Sequence, residues 1–78
     1  MFNRTYLECR NPDIDKFRFY AIYITKTVFG DWAIIREWGR IGSPGTIRED
    51  WFDNEHQAIS KANSIVRNRV RRGYCLLR

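Results

Sequence analysis

The stretch Trp51-Phe52-Asp53-Asn54-Glu55-His56-Gln57-Ala58-Ile59 decides the fold, because the chain changes its period there. Downstream, Ala58, Ile59, Ala62, Ile65, Val66 and Val70 recur at helical spacing and form one apolar stripe. Asn54 is a good helix N-cap, Gln57 three residues on completes a capping box, and Glu55 suits the positive first turn. The spacing predicts a helix over residues 55–72 that stops at Gly73, with His56 solvated in its first turn. Residues 74–77 are long enough for one last short strand.

Upstream of Asn54 the pattern is strand-like. Residues 5–9, 17–27, 32–41 and 46–52 are rich in Phe, Tyr, Trp, Ile and Thr. Turn chemistry separates them: Asn11-Pro12-Asp13, Phe29-Gly30-Asp31 and Gly42-Ser43-Pro44-Gly45. Short turns join strands antiparallel. The expected fold is therefore α+β, a four- to five-stranded antiparallel sheet with one long amphipathic helix packed on one face. Trp32 and Trp51 read as structural.

The 78 residues make one domain, 1–78. A core this small is marginal unless well packed, but twelve Phe, Trp and Tyr residues supply it. The net charge of +5 is uneven. Residues 61–78 hold six bases (Lys61, Arg67, Arg69, Arg71, Arg72, Arg78) and no acid, whereas residues 1–60 hold eight bases and nine acids. Two readings fit: a patch for polyanions, nucleic acid first among them, or a solvated face whose arginines complement the helix dipole.

Arg4, Glu8 and Arg10 interrupt any leader-like run, and no stretch approaches membrane-spanning length, so a cytoplasmic protein with no membrane partner is expected. Cys9 and Cys75 are then reduced thiols, although both lie in strand-like surroundings that one sheet can bring together. Two isolated cysteines and one histidine have no metal-ligand spacing, so no metal is expected.

The chemistry concentrates in Arg36-Glu37-Trp38-Gly39-Arg40-Ile41-Gly42. Trp38 offers a flat face, Gly39 permits close backbone approach, and Arg40 offers a planar cationic fork for phosphate or carboxylate. Strand alternation puts Trp32, Ile34, Arg36, Trp38 and Arg40 on one side, and Ala33, Ile35, Glu37, Gly39 and Ile41 on the other. A helix needs an apolar bed, so Ala33, Ile35 and Ile41 are expected beneath it, with Arg36 and Arg40 flanking Trp38 on the open face. Such alternation suits phosphate and sugar contacts. A plain structural reading stands beside each choice: Trp38 as core, Arg40 as ion-pair partner of Glu37 or Glu49, Tyr74 as a cap on the sheet instead of a base-stacking ring.

In this order, on this pattern of strands and helix, Trp38-Gly39-Arg40 resembles the motif that names the WGR domain family. The resemblance covers roughly residues 13–76. Arg18-Phe19-Tyr20 matches the family's strand start, Gly42 and Gly45 follow the triplet, Phe52 precedes the helix, and Ala58 begins its stripe. WGR domains are known as parts of DNA-damage-activated poly(ADP-ribose) polymerases, where they help bind DNA ends and relay binding to the catalytic domain. They also occur in bacterial proteins, some short and free-standing, and this chain looks like the free-standing bacterial kind. The resemblance implies Trp38 as a packing platform for a terminal nucleotide and Arg40 as a phosphate or partner contact. It further implies Gly39 as close-approach backbone, with Lys16 and Arg18 as phosphate charge. Lys16 and Arg18 flank Phe17 where the eukaryotic strand start often carries an asparagine before the lysine, and Arg71-Arg72-Gly73-Tyr74 replaces the lysine-rich end of the polymerase versions.

Glu37, Glu49 and Asp50 lack a companion nucleophile, phosphate loop or metal cluster, so no enzyme, cofactor or small-molecule substrate is expected. Two functions are open. One is a DNA-binding module, for ends or nicks, using Trp38, Gly39, Arg40, Lys16, Arg18, Arg36, Arg71, Arg72 and Tyr74. The other is a protein-interaction module that docks on a separately encoded DNA-repair or modification enzyme.

Overall fold

The computed structural model describes residues 4–77. Along the chain come β1 (Thr5–Asn11), a 3-10 turn (Pro12–Ile14), β2 (Lys16–Lys26), β3 (Trp32–Arg40), β4 (Thr46–Phe52), α1 (Glu55–Arg71) and β5 (Cys75–Leu76). The strands form one antiparallel sheet in the order β4-β3-β2-β1-β5. The α+β reading of the sequence holds, with five strands. The 3-10 turn was not expected. Asp15 closes it in the left-handed region (φ 51°), its N–H donating to the Pro12 carbonyl at 3.2 Å, so β1 and β2 pair from Asn11↔Lys16 onward.

Both ends of α1 are built by local chemistry. Asn54 is extended, and its side-chain oxygen accepts the Gln57 N–H at 2.9 Å. At the other end the Tyr74 N–H donates to the Arg69 carbonyl and the Gly73 N–H to the Val70 carbonyl, both at 3.0 Å, with Gly73 at φ 100°. This is a Schellman motif, which needs a residue free to adopt positive φ. It turns the chain back so that Tyr74 tucks inward and β5 pairs with β1.

The core lies between α1 and one face of the sheet. Leu7, Tyr20, Ile22, Ile34, Ala58 and Ala62 are all at or below 1% exposure, and Trp32, Trp38 and Phe52 pack around them. Register carries this face across the strands: Leu7↔Tyr20↔Trp38 and Ile24↔Ile34 share it. The alternation on β3 is therefore as expected, and no bulge interrupts it at Gly39. The assignment of faces is not. Trp32, Ile34 and Trp38 face the helix, while Ala33, Ile35 and Gly39 face the other side.

The reason is the path of the helix. It leaves the Phe52 end of β4 and ends beside β5, so it covers only one end of its face. Along β3, burial falls from Ile34 (0%) through half-buried Arg36 and Trp38 to exposed Arg40. An apolar bed is required under the helix alone; in the same row Arg36 lies at the helix edge, its side chain largely buried, and only Arg40 emerges beyond it.

The opposite face is apolar but uncovered. Phe19 and Tyr6 stack there at 6.3 Å, and Tyr23, Ile47 and Trp51 are exposed. Trp51, expected as a structural residue, is 53% exposed on this side because it lies on an edge strand. Cys75 stands opposite Glu8, one residue from Cys9. Adjacent strand residues point to opposite faces, so Cys9 is buried, Cys75 is exposed, and both are free thiols.

Candidate nucleic-acid interface

Tyr20 is the hub of the half-covered end. Its ring stacks on Trp38 (centroids 5.9 Å apart, planes at 17°) and takes Tyr74 edge-on at 6.4 Å. The Arg69 guanidinium sits 4.4 Å from the Tyr20 centroid and 5.8 Å from that of Tyr74. The Schellman motif makes this possible, since it fixes Arg69 and Tyr74 against each other. Such cation–π contacts contribute about 0.5–2 kcal/mol depending on desolvation. Tyr74 is 9% exposed and packed in the core, which favours the cap over the base-stacking ring.

Arg36 is clamped at the same hub. Its guanidinium donates to Asp50 at 2.6 Å and to the Tyr20 hydroxyl at 3.3 Å. Burial opposes its charge, but the Tyr20 and Asp50 oxygens outweigh that and hold the guanidinium pKa above its ordinary value. Asp50 also accepts from Arg48 at 3.2 Å, so one carboxylate serves two arginines. The Arg36 Nε is buried without a partner among the described residues. Arg36, Lys61, Ile65, Asn68, Arg69 and Arg72 together line a recess of about 180 Å³ between β3 and α1.

A second recess of about 360 Å³ lies at the far end of β2 and β3, lined by Ile14, Asp15, Lys16, Phe17, Arg18 and Arg40. Arg40 donates to the Asp15 carboxylate at 3.2 Å and lies 5.6 Å from the Phe17 ring centroid. Its ion-pair partner is thus Asp15, and neither Glu37 nor Glu49. The left-handed turn at Asp15 brings that carboxylate across from β3. Both ion-pair partners are more than half exposed, so the pair is weak and exchangeable.

Trp38 stands between the two recesses, two residues from Arg36 and two from Arg40. The structure thus brings Lys16, Arg18, Arg36, Trp38, Arg40 and Arg72 to one side of the sheet. Arg71 does not line either recess, and Arg78 lies outside the described residues. Gly39 points to the opposite face, where its close neighbours belong to this chain. A Cβ there would meet Gly45 Cα at 3.1 Å and Phe19 at 3.5 Å.

The sequence reading gave no role in the site to Tyr20, Asp15 or Asp50, and named Arg69 and Lys61 only as bulk charge. A signal existed for the last two. Lys61, Ile65, Asn68, Arg69 and Arg72 follow one another at helical spacing and therefore share a face.

The class so defined is a small α+β module with a half-covered sheet face that carries a tryptophan between arginines. The chain belongs to the WGR domain family, whose model matches residues 3–77. It is also 35% identical over 71 residues to an uncharacterized protein, y4dW, of Sinorhizobium fredii. That match covers 91% of this chain but 35% of the relative, so the chain spans about a third of the relative's length. No solved structure matches.

Proposed function

We propose that this chain is a non-enzymatic DNA-binding module that holds DNA ends or nicks on the Trp38 face. The observation that carries the reading is the placement of Trp38, still partly exposed, between two cation-lined recesses on one side of the sheet. Trp38 packs on the terminal sugar or base, as an aromatic platform tolerant of sequence. Arg40, Lys16 and Arg18 meet phosphates on one side of it, and Arg36, Lys61, Arg69 and Arg72 attract the backbone on the other. WGR membership supports this, since in poly(ADP-ribose) polymerases the domain binds DNA breaks.

The test is a gel-shift series on nicked, blunt, 5′-phosphorylated and closed circular duplexes across salt. Neutralising about four phosphates gives a log–log salt slope of roughly −3 to −4. Tighter binding to broken than to closed DNA is expected. A protein-docking module is the second reading, favoured by the exposed Tyr23, Ile47 and Trp51 on the opposite face. It would show no DNA affinity in that series.

A further inference from the structure

β4 is an edge strand seven residues long, and among the described residues only β3 pairs with it. Such an edge presents unpaired backbone N–H and C=O groups that invite another strand. Natural edges are usually guarded by charge, and β4 does carry Arg48, Glu49 and Asp50 in succession. Its order, however, is self-complementary. We propose that β4 pairs antiparallel with β4 of a second copy about a two-fold axis at Glu49, joining the two sheets edge to edge.

The two-fold fixes the register. With the axis perpendicular to the sheet, each residue meets one on the same face, so the pairing must keep parity. Centring on Glu49 opposes Ile47 to Trp51 of the second copy, and Arg48 to Asp50 of the second copy, each twice. On the uncovered face this joins two exposed apolar side chains, 63% and 53% accessible. On the helix side it joins opposite charges, with Arg48 62% exposed at its side chain. Centring on Arg48 instead sets Arg48 against Arg48 and Ile47 against Glu49. Centring on Asp50 sets Glu49 against Trp51 and Arg48 against Phe52. Of these three registers only the Glu49 one matches chemistry on both faces; its costs are Glu49 against Glu49 and the sharing of Asp50, which already accepts from Arg36 and Arg48 of its own chain. Both Trp38 faces then lie on the same side of the joined sheet.

The experiment is sedimentation equilibrium of the whole 78-residue chain over a concentration series, without DNA. The expected mass rises from 9.4 kDa toward twice that value. Ile47→Asp, at an exposed position, should return it to the monomer value with an unchanged circular dichroism spectrum. Glu49→Gln should move the midpoint to at least several-fold lower concentration. The register is read separately: Glu49→Cys in a Cys75→Ser background should oxidise to a covalent dimer, because directly opposed residues fall within disulfide range. A chain that stays monomeric at every concentration overturns the proposal and leaves the edge to a strand of another protein. A dimer indifferent to Ile47→Asp, or a Glu49→Cys chain that does not cross-link, overturns it as well. None of these readouts depends on whether the Trp38 face binds DNA.

Discussion

Trp38 and Tyr20 stand directly opposite in β3 and β2, and their rings lie nearly parallel at 5.9 Å. Trp38 therefore has one face committed to the core and remains only partly accessible on the other. Trp38 is thus a packing residue that still leaves part of its ring at the surface.

Trp38→Ala should affect two measurements at once. Losing an aromatic platform costs about 1–3 kcal/mol of nucleic-acid binding, tenfold or more in affinity. Losing the contact with Tyr20 should also lower stability by roughly 1–3 kcal/mol, less than for a fully buried tryptophan. Trp38→Phe separates the two: thermal unfolding should stay near the parent while preference for 5′-phosphorylated ends weakens. A well-folded Trp38→Ala protein that binds broken and intact DNA like the parent would refute the gripping role.

Changing Arg69, Arg71 and Arg72 to Gln should weaken binding about equally for all DNA sequences and flatten the salt slope by up to about 3. The single variants should differ. Arg69→Gln alone should also cost about 1 kcal/mol of stability, because its guanidinium covers Tyr20. Arg71→Gln should leave stability within about 0.5 kcal/mol, as is usual for surface changes. Equal melting temperatures for the two would contradict this division.

Asp15→Asn should raise DNA affinity a few-fold at low salt. It releases Arg40 from its carboxylate and removes a negative charge from the recess. Stability should change little, since exposed ion pairs contribute about 0–1 kcal/mol. The contrast to measure is with Asp13→Asn, which lies on the same 3-10 turn but does not line the recess. Equal gains from both would mean that net charge alone is responsible.

Gly45→Ala should be the most damaging of the glycine substitutions. Its new methyl would lie 2.6 Å from the Trp38 carbonyl oxygen, 2.8 Å from Phe19 and 2.9 Å from Glu37. Overpacking of this kind costs about 1–3 kcal/mol or more. Gly42→Ala has open space but a φ of 88°, so it should cost about 1 kcal/mol from strain alone. Denaturant unfolding that ranks Gly42→Ala as the worse of the two would refute the close-approach account.

The strands and the helix were legible because alternation and the switch at Asn54 are local signals. The helix-facing side of β3 was not. Its two rows carry similar apolar weight, Trp32, Ile34 and Trp38 against Ala33, Ile35 and Ile41. What decides between them is the side of the sheet to which α1 returns between β4 and β5, a tertiary fact. The same holds for Arg40, whose partner Asp15 is 25 residues away and reaches it through a left-handed turn. The grouping of Trp38 with Arg36 and Arg40 was readable because parity survives whichever side is covered.

That Gly39 points away from Trp38 and Arg40 has a practical outcome for protein engineering. The triplet is stitched through the sheet, its outer letters on the helix side and its middle letter on the side that seats the Gly45 hairpin. Arg40 is therefore the part to vary in a library that holds Gly39 and Gly45 fixed, with Trp38 limited to aromatics that keep the stack on Tyr20. Such a library would sample new surface specificities while the hairpin beneath them keeps its shape.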